Sequence, residues 1–353
     1  MNDIQKLLEI TVDQNASDLH LLVGIPPCLR AHGELNFLTA EGNVTEEDCE
    51  RLVFSLITEE QKELLVNNKE IDFSFDLLNK GRFRVNVYYQ KGTLGAAFRF
   101  VPLKIKTIDE LGLPKICYQF AKLRQGFVLV TGPTGHGKST SLAAIINEIL
   151  TSRPCNIITV EDPIEFVFSS QRSLISQREL HKDTHSWASA LRSALREDPD
   201  VVLIGEMRDY DTMAAALTIA ETGHLVFSTL HTNSASQTID RIIDAFPDEA
   251  KNQIRIQLST SLEAVLSQRL VPTISKGRTL AYEVMVATPA IKTSVREGKT
   301  HMIDNIIQTS AGLGMSTLES SLVRLINEGK ITTETARQYA MYPEEINRLL
   351  KKA

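Results

Sequence analysis

The chain has 353 residues, 42% hydrophobic and 23% charged, with a formal net charge of −6 at pH 7. At roughly 100–200 residues per domain this length accommodates about two domains, and its acidic balance lacks the basic footprint of a nucleic-acid motor. No run approaches the ~18 apolar residues of a membrane span, and Met1–Val12 shows no targeting peptide, so no transmembrane segment is expected and any membrane association comes through a partner.

Residues 1–101 read as a small α/β domain. Ile4–Ile10 has helical spacing, and Asp18-Leu19-His20-Leu21-Leu22 looks like a strand that Gly24 to Pro27 breaks. Thr45 is a good N-cap for a helix running toward Leu56, with Glu46, Glu47 and Asp48 in its first turn. Ile71–Phe75 and Arg82–Val87 alternate as strands do, the latter with Arg82, Arg84 and Asn86 on one face. Leu94–Val101 is a further strand, and residues 102–115 read as a linker.

Residues 116–285 change character. Short apolar runs at Phe127–Val130, Ile157–Val160, Val201–Ile204 and Leu225–Leu230 alternate with helical stretches at Lys138–Leu150, Ser186–Arg196 and Thr212–Glu221. That pattern indicates a parallel sheet with helices on its faces. Residues 286–353 are helical by pattern. The four cysteines, Cys28, Cys49, Cys117 and Cys155, form no C-x-x-C pair and read as reduced thiols rather than a zinc site.

Gly132-Pro133-Thr134-Gly135-His136-Gly137-Lys138-Ser139 matches G-x-x-x-x-G-K-[ST] between a buried strand and a helix. The glycines let backbone amides wrap phosphates, Lys138 reaches the β- and γ-phosphates, and the Ser139 hydroxyl is placed for Mg²⁺. Hydrolysis also needs an acid to position water and cations to neutralise charge. Glu161, with Asp162 beside it, follows one predicted strand and Glu206 follows another, at the strand ends where open α/β sheets hold ligands. One such acid is as readily a solvated loop residue; two in one sheet favour function. His231 follows a strand within Ser228-Thr229-Leu230-His231-Thr232 and suits a γ-phosphate sensor, whereas position alone says less about His224. Arg82, Arg84 and Arg99 read from position as a solvated sheet face, although arginine from another domain or subunit commonly stabilises phosphoryl-transfer charge.

Taken in order, these segments resemble the type IV pilus retraction ATPases of the secretion-ATPase superfamily over nearly the whole chain. Asn15-Ala16-Ser17-Asp18-Leu19-His20-Leu21 is similar to that family's N-terminal signature. Gly132–Thr140 is similar to its Walker A, Ile158–Phe166 to its Asp box, Leu195–Asp209 to its Walker B and Glu221–Thr232 to its His box.

The resemblance implies a PAS-like N-terminal α/β domain, a C-terminal RecA-like P-loop domain with a helical C-terminal appendage, and a homo-hexamer. It implies ATP and Mg²⁺ as cofactors, held by Gly132, Pro133, Thr134, Gly135, His136, Gly137, Lys138, Ser139 and Thr140, with His224 also at the nucleotide. Glu161 is then the catalytic base, Glu206 the acid that meets Mg²⁺ through water, and His231 part of the same machinery. Arg84 and Arg99 reach nucleotide bound between domains, which reverses the reading from position. The implied role is a motor for pilus retraction and twitching motility. It would be cytoplasmic, peripheral at the inner membrane through a pilus platform protein, and able to act beside a paralogous retraction ATPase.

Two departures stand out. His136 replaces the family's usual Ser, at a position expected to contribute only backbone. Ala290-Ile291-Lys292-Thr293-Ser294-Val295-Arg296-Glu297 keeps the ends but not the centre of the retraction signature Ala-Ile-Arg-Asn-Leu-Ile-Arg-Glu. The competing readings are an assembly or secretion ATPase of the same superfamily, a RecA-like nucleic-acid motor, and a nucleotide-dependent scaffold. The lack of a tetracysteine module, the acidic balance and the pair Glu161/Glu206 count against them in turn.

Overall fold

The computed structural model describes residues 3–31, 33–77, 80–101 and 104–351. Pro102 and Leu103, where the expected linker begins, and Met1, Lys352 and Ala353, at the ends of the expected domains, lie outside the described residues. The chain divides into two units, Met1–Lys104 with Pro163–Val167, and Ile105–Asp162 with Phe168–Ala353.

The first unit contains α1 (Ile4–Asp13), β1 (Asp18–Leu22), β2 (Cys28–Ala31), β3 (Glu34–Phe37), α2 (Glu46–Phe54), α3 (Glu59–Asn68), β4 (Glu70–Leu77), β5 (Gly81–Gln90) and β6 (Thr93–Val101). Its strands form an antiparallel sheet in the order β3-β2-β1-β6-β5-β4. The helices start where the sequence supplies caps. The Thr45 hydroxyl accepts the Asp48 amide, and Thr58 and Gln61 form a reciprocal capping box. Period-2 alternation sends Leu19, Leu21, Phe83, Val85, Val87 and Phe98 to one face, where they pack with Leu7, Leu8, Leu52 and Leu65 of the helices. The same alternation leaves Asp18, Arg84, Asn86 and Arg99 on the other face.

The second unit contains α4 (Cys117–Lys122), β7 (Gly126–Thr131), α5 (Lys138–Ser152), β8 (Asn156–Glu161), β9 (Leu174–Glu179), α6 (Trp187–Ala194), β10 (Val201–Ile204), α7 (Tyr210–Glu221), β11 (Leu225–Leu230), α8 (Ala235–Asp244), α9 (Asp248–Ser261), β12 (Leu262–Pro272), β13 (Arg278–Val286), α10 (Pro289–Arg296), α11 (Ile303–Thr309), α12 (Leu318–Asn327), α13 (Thr333–Tyr339) and α14 (Pro343–Leu350). The sheet order is β13-β12-β7-β11-β10-β8-β9, with every pairing parallel except β12–β13. Every residue of β7, β10 and β11 is buried, which is why these strands are apolar runs without alternation.

Three strands of this second sheet are not visible in the sequence pattern. β9 is a polar edge strand, half exposed. β12 loses its period where the register slips between Leu262 and Ala264, and β13 is legible only as its partner. The C-terminal helices belong to this second unit: Leu318, Leu322, Leu325 and Ile346 pack against Val271 and Ala281 of the β12–β13 hairpin. All four cysteines are free, and burial pushes two of the thiols up, Cys49 to about 11 and Cys117 to about 12.

One buried acid is structural. Glu283 on β13 is 7% exposed, and its Oε1 accepts the Ala235 amide at 2.7 Å, capping the start of α8. Burial raises its pKa, the Ala235 bond opposes this, and Asp304 and Glu319 add to the rise against Arg269; the net position is about 7, above the ordinary 4.5. A carboxyl raised in this way stabilises the fold while protonated, and the contribution disappears as pH climbs through 7. Glu283→Gln keeps the acceptor without the charge, and is expected to raise stability by about 2–3 kcal/mol at pH 8. That gain should shrink as pH falls toward 5. Calorimetric melting of both proteins across that range checks it; an equal gain at every pH would contradict it.

Candidate active site

The phosphate loop begins where β7 ends. Gly132, Gly135 and Gly137 have φ of 141°, 78° and 81°, left-handed conformations that favour glycine. Gly132 is also fixed by space, since an added Cβ would land on the backbone carbonyl oxygen of Gln268. Gly137 is the N-cap of α5, so the unpaired amides of that helix face the concavity of the loop. Lys138, 8% exposed, folds back over its own loop and donates from Nζ to the carbonyls of Gly132 (2.9 Å) and Pro133 (3.1 Å). Ser139 and Thr140 follow on the first helical turn, partly buried, and Thr134 and Gly135 form the exposed crest.

His136 is engaged through its side chain as well as its backbone, beyond the backbone role expected of it. Its Nδ1 accepts the Leu270 amide at 3.0 Å. Its carbonyl accepts from Gln268 Nε2 at 2.6 Å, and the neighbouring Gly135 carbonyl from Arg278 at 3.4 Å.

The strand order sets the rest of the site along one sheet edge. At the C-terminal ends stand the loop after β7, His231 after β11, Glu206 after β10 and Glu161 closing β8. Glu161 is 8% exposed, and its Oε1 accepts from Thr159 Oγ1 at 2.7 Å and Gln177 Nε2 at 3.3 Å. Gln177 is itself oriented by accepting the Phe168 amide at 2.7 Å. Glu206 pairs with Arg208 and lies 3.1 Å from His231 Nε2. The other nitrogen of His231 lies 3.2 Å from Thr134 Oγ1 and 3.4 Å from Lys138 Nζ. An ammonium only donates, so Nδ1 carries the lone pair and Nε2–H donates to Glu206. Burial, then Lys138 and Arg208, hold the ring below the ordinary histidine range. The contact with Glu206 is therefore a hydrogen bond from a neutral imidazole.

Of the other expected residues of this unit, His224 is not brought to this edge. His224 precedes β11, at the end of that strand opposite His231, about 20 Å away at ~3.3 Å per residue. Its Nδ1 lies 3.1 Å from both Thr222 Oγ1 and the Ile219 carbonyl. Arg84 and Arg99 belong to the first unit and stand directly opposite each other across β5 and β6, with Arg99 Nε donating to Asp18 at 3.0 Å. Like charges facing across a strand pair disfavour each other, which an anion would relieve. The altered signature at 290–297 lies on α10 and its C-cap. Ile291, Ser294 and Val295 face inward, and Lys292 bonds Glu263 at 3.0 Å.

Sequence reasoning passed over Thr159, Gln177 and Gln268. Thr159 carried a signal: a hydroxyl inside a buried apolar run needs a partner, and Glu161 two residues on shares its face. Gln177 and Gln268 carried none, because β9 and β12 were not recognised as strands.

An amide-lined cradle closed by a lysine, with carboxylates and a neutral histidine on adjacent strand ends, defines a P-loop nucleoside triphosphatase. The family model "Type II/IV secretion system protein" matches residues 108–338. The chain is 46% identical to the type IV pilus retraction ATPase PilT of Pseudomonas aeruginosa, over 97% of this chain and 99% of that one. It is 45% identical to a twitching motility protein of Neisseria gonorrhoeae, over 98% and 92%. The crystal structure of the pilus retraction motor PilT with bound ADP superposes with a TM-score of 0.92 at 43% identity, covering 99% of this chain and all of that one. The chain belongs to this family of secretion ATPases.

The Gly132 contact yields a prediction. Gly132→Ala drives a methyl group into the Gln268 carbonyl and should weaken nucleotide binding by about tenfold or more, about 1.4 kcal/mol. Titration with a fluorescent ATP analogue measures it; unchanged affinity would show that the loop does not depend on this approach.

Proposed function

We propose that the chain is a hexameric, Mg²⁺-dependent ATPase that powers type IV pilus retraction and, through it, twitching motility. The observation that carries this reading is the near full-length likeness to PilT, and the lysine-closed cradle with Glu161, Glu206 and His231 on neighbouring strand ends supports it. The loop amides and Lys138 hold the β- and γ-phosphates. Glu161, kept in place by Thr159 and Gln177, takes the proton of the attacking water. Glu206 orients that water, and His231, hydrogen-bonded to Glu206 and close to Lys138, senses whether the γ-phosphate is present. The Ser139 hydroxyl and, through water, the Glu206 carboxylate are hard oxygen donors of the kind Mg²⁺ takes while keeping several waters. The ion supplies charge neutralisation on the phosphates.

Arg84 and Arg99 are assigned to the nucleotide across a boundary between domains, and His224 to nucleotide binding. Nucleotide-dependent movement of residues 1–101 against the ATPase core at 116–285 then becomes mechanical work. Among the described residues no helix is long and apolar enough to cross a membrane. We assign the motor to the cytoplasm, docked on an inner-membrane pilus platform protein and able to work beside a paralogous retraction ATPase.

Cells lacking the chain should carry excess pili and fail to move on surfaces. The wild-type chain should restore movement, and Lys138→Ala, which removes the main cation of the cradle, should not. Counting pili by electron microscopy alongside surface motility decides the matter. Absent pili would mean assembly instead, and rescue by Lys138→Ala would remove ATP from the mechanism.

A further inference from the structure

β12 continues past its neighbour in the sheet. Its pairing with β7 ends at Ser267 opposite Thr131, while the strand itself runs on to Pro272. The edge that β7 leaves uncovered is met by the phosphate loop. Gly132 packs on the Gln268 carbonyl, the Gln268 amide donates to the His136 carbonyl, and the Leu270 amide donates to His136 Nδ1. A backbone N–H at such an edge needs an acceptor, and leaving it unpaired is unfavourable. Here the acceptor is a titratable side chain at the crest of the cradle.

We propose that His136 is a positioning residue for ATP binding: its neutral ring latches the phosphate loop onto β12 through the Leu270 amide, and protonation of the ring releases that latch. Nδ1 accepts a hydrogen bond only while it carries a lone pair; in the imidazolium both nitrogens carry protons, and the Leu270 N–H would face another N–H. The charged groups around the ring are Arg269 on β12, Arg278 on β13 and Lys138 on α5. Burial first, and then these three cations, hold the ring below the ordinary histidine range. The latch is therefore closed at neutral pH and opens only on acidification. The glycines of the loop make it able to move once released, and Lys138, bonded to the carbonyls of Gly132 and Pro133, would move with it.

This inference rests on the reading of Gly132–Thr140 as an ATP cradle, and the test separates the two. The affinity of the purified full chain for a fluorescent ATP analogue is measured at pH 7.5 and 5.5 for the wild type, His136→Ala, His136→Asn and Lys138→Ala. Asparagine offers an acceptor oxygen near the Nδ1 position but does not titrate. At pH 7.5, His136→Ala should bind about tenfold more weakly, the scale of one buried amide left unpaired, and His136→Asn should restore most of that loss. Between pH 7.5 and 5.5 the wild type should lose more affinity than His136→Asn, with the difference growing as pH falls. His231 is present in both proteins, so its own titration cancels. Wild-type affinity in His136→Ala, or parallel pH profiles for the wild type and His136→Asn, would overturn the latch while leaving the cradle intact. Undiminished binding by Lys138→Ala would overturn the cradle, and the latch with it. Should His136→Ala fail to fold, the comparison of the wild type with His136→Asn decides alone.

Discussion

The site depends on one close approach: the chain leaving β7 passes over β12 at Gly132, with no room for a side chain between it and the Gln268 carbonyl. A strand buried between β11 and β12 cannot shift to make that room, because its residues are close-packed on both faces. The loop must therefore turn at that point. Gly135 and Gly137 complete the turn in left-handed conformations, and α5 begins at Lys138 with its free amides directed into the concavity. Lys138 then has its own loop carbonyls within reach. A phosphate entering the concavity can take over that ammonium without a large rearrangement, which is what an ATPase needs of a preorganised cation.

Electrostatics follows from the same edge of the sheet. His231 sits where an ammonium faces one nitrogen and a carboxylate the other, and burial keeps it neutral. It therefore links Lys138 to Glu206 by hydrogen bonds that are directional, without adding a charge. Glu161 is held differently. Its carboxylate accepts from Thr159 and Gln177, which help to fix its direction. The two acids differ in their neighbours: Glu206 is paired with a cation and an imidazole, and Glu161 accepts from Thr159 and Gln177.

Much of this could be read in the sequence. Strands buried on both faces leave apolar runs, so β7, β8, β10 and β11 were visible, and the loop between β7 and α5 announced itself through its glycines and Lys138. What escaped depended on pairing between distant segments. β9 is polar because it lies at an edge, and β12 has a register slip that destroys its periodicity, so Gln177 and Gln268 had no strand to sit on. His136 matched a position that the motif leaves free, and its role emerges only once Leu270 is seen beside it. The pairing of Arg84 with Arg99 requires the register of β5 and β6.

Hydrolysis by the carboxylate that closes β8 is tested most directly by Glu161→Gln. Nucleotide binding and single-turnover hydrolysis are measured on the same preparation. Glutamine preserves the shape and an acceptor for Thr159 but cannot take a proton at neutral pH. ATP should still bind with near wild-type affinity, while hydrolysis should fall by about 10²–10⁴, the usual range for losing a general base. Turnover at the wild-type rate would contradict the assignment of the base to Glu161.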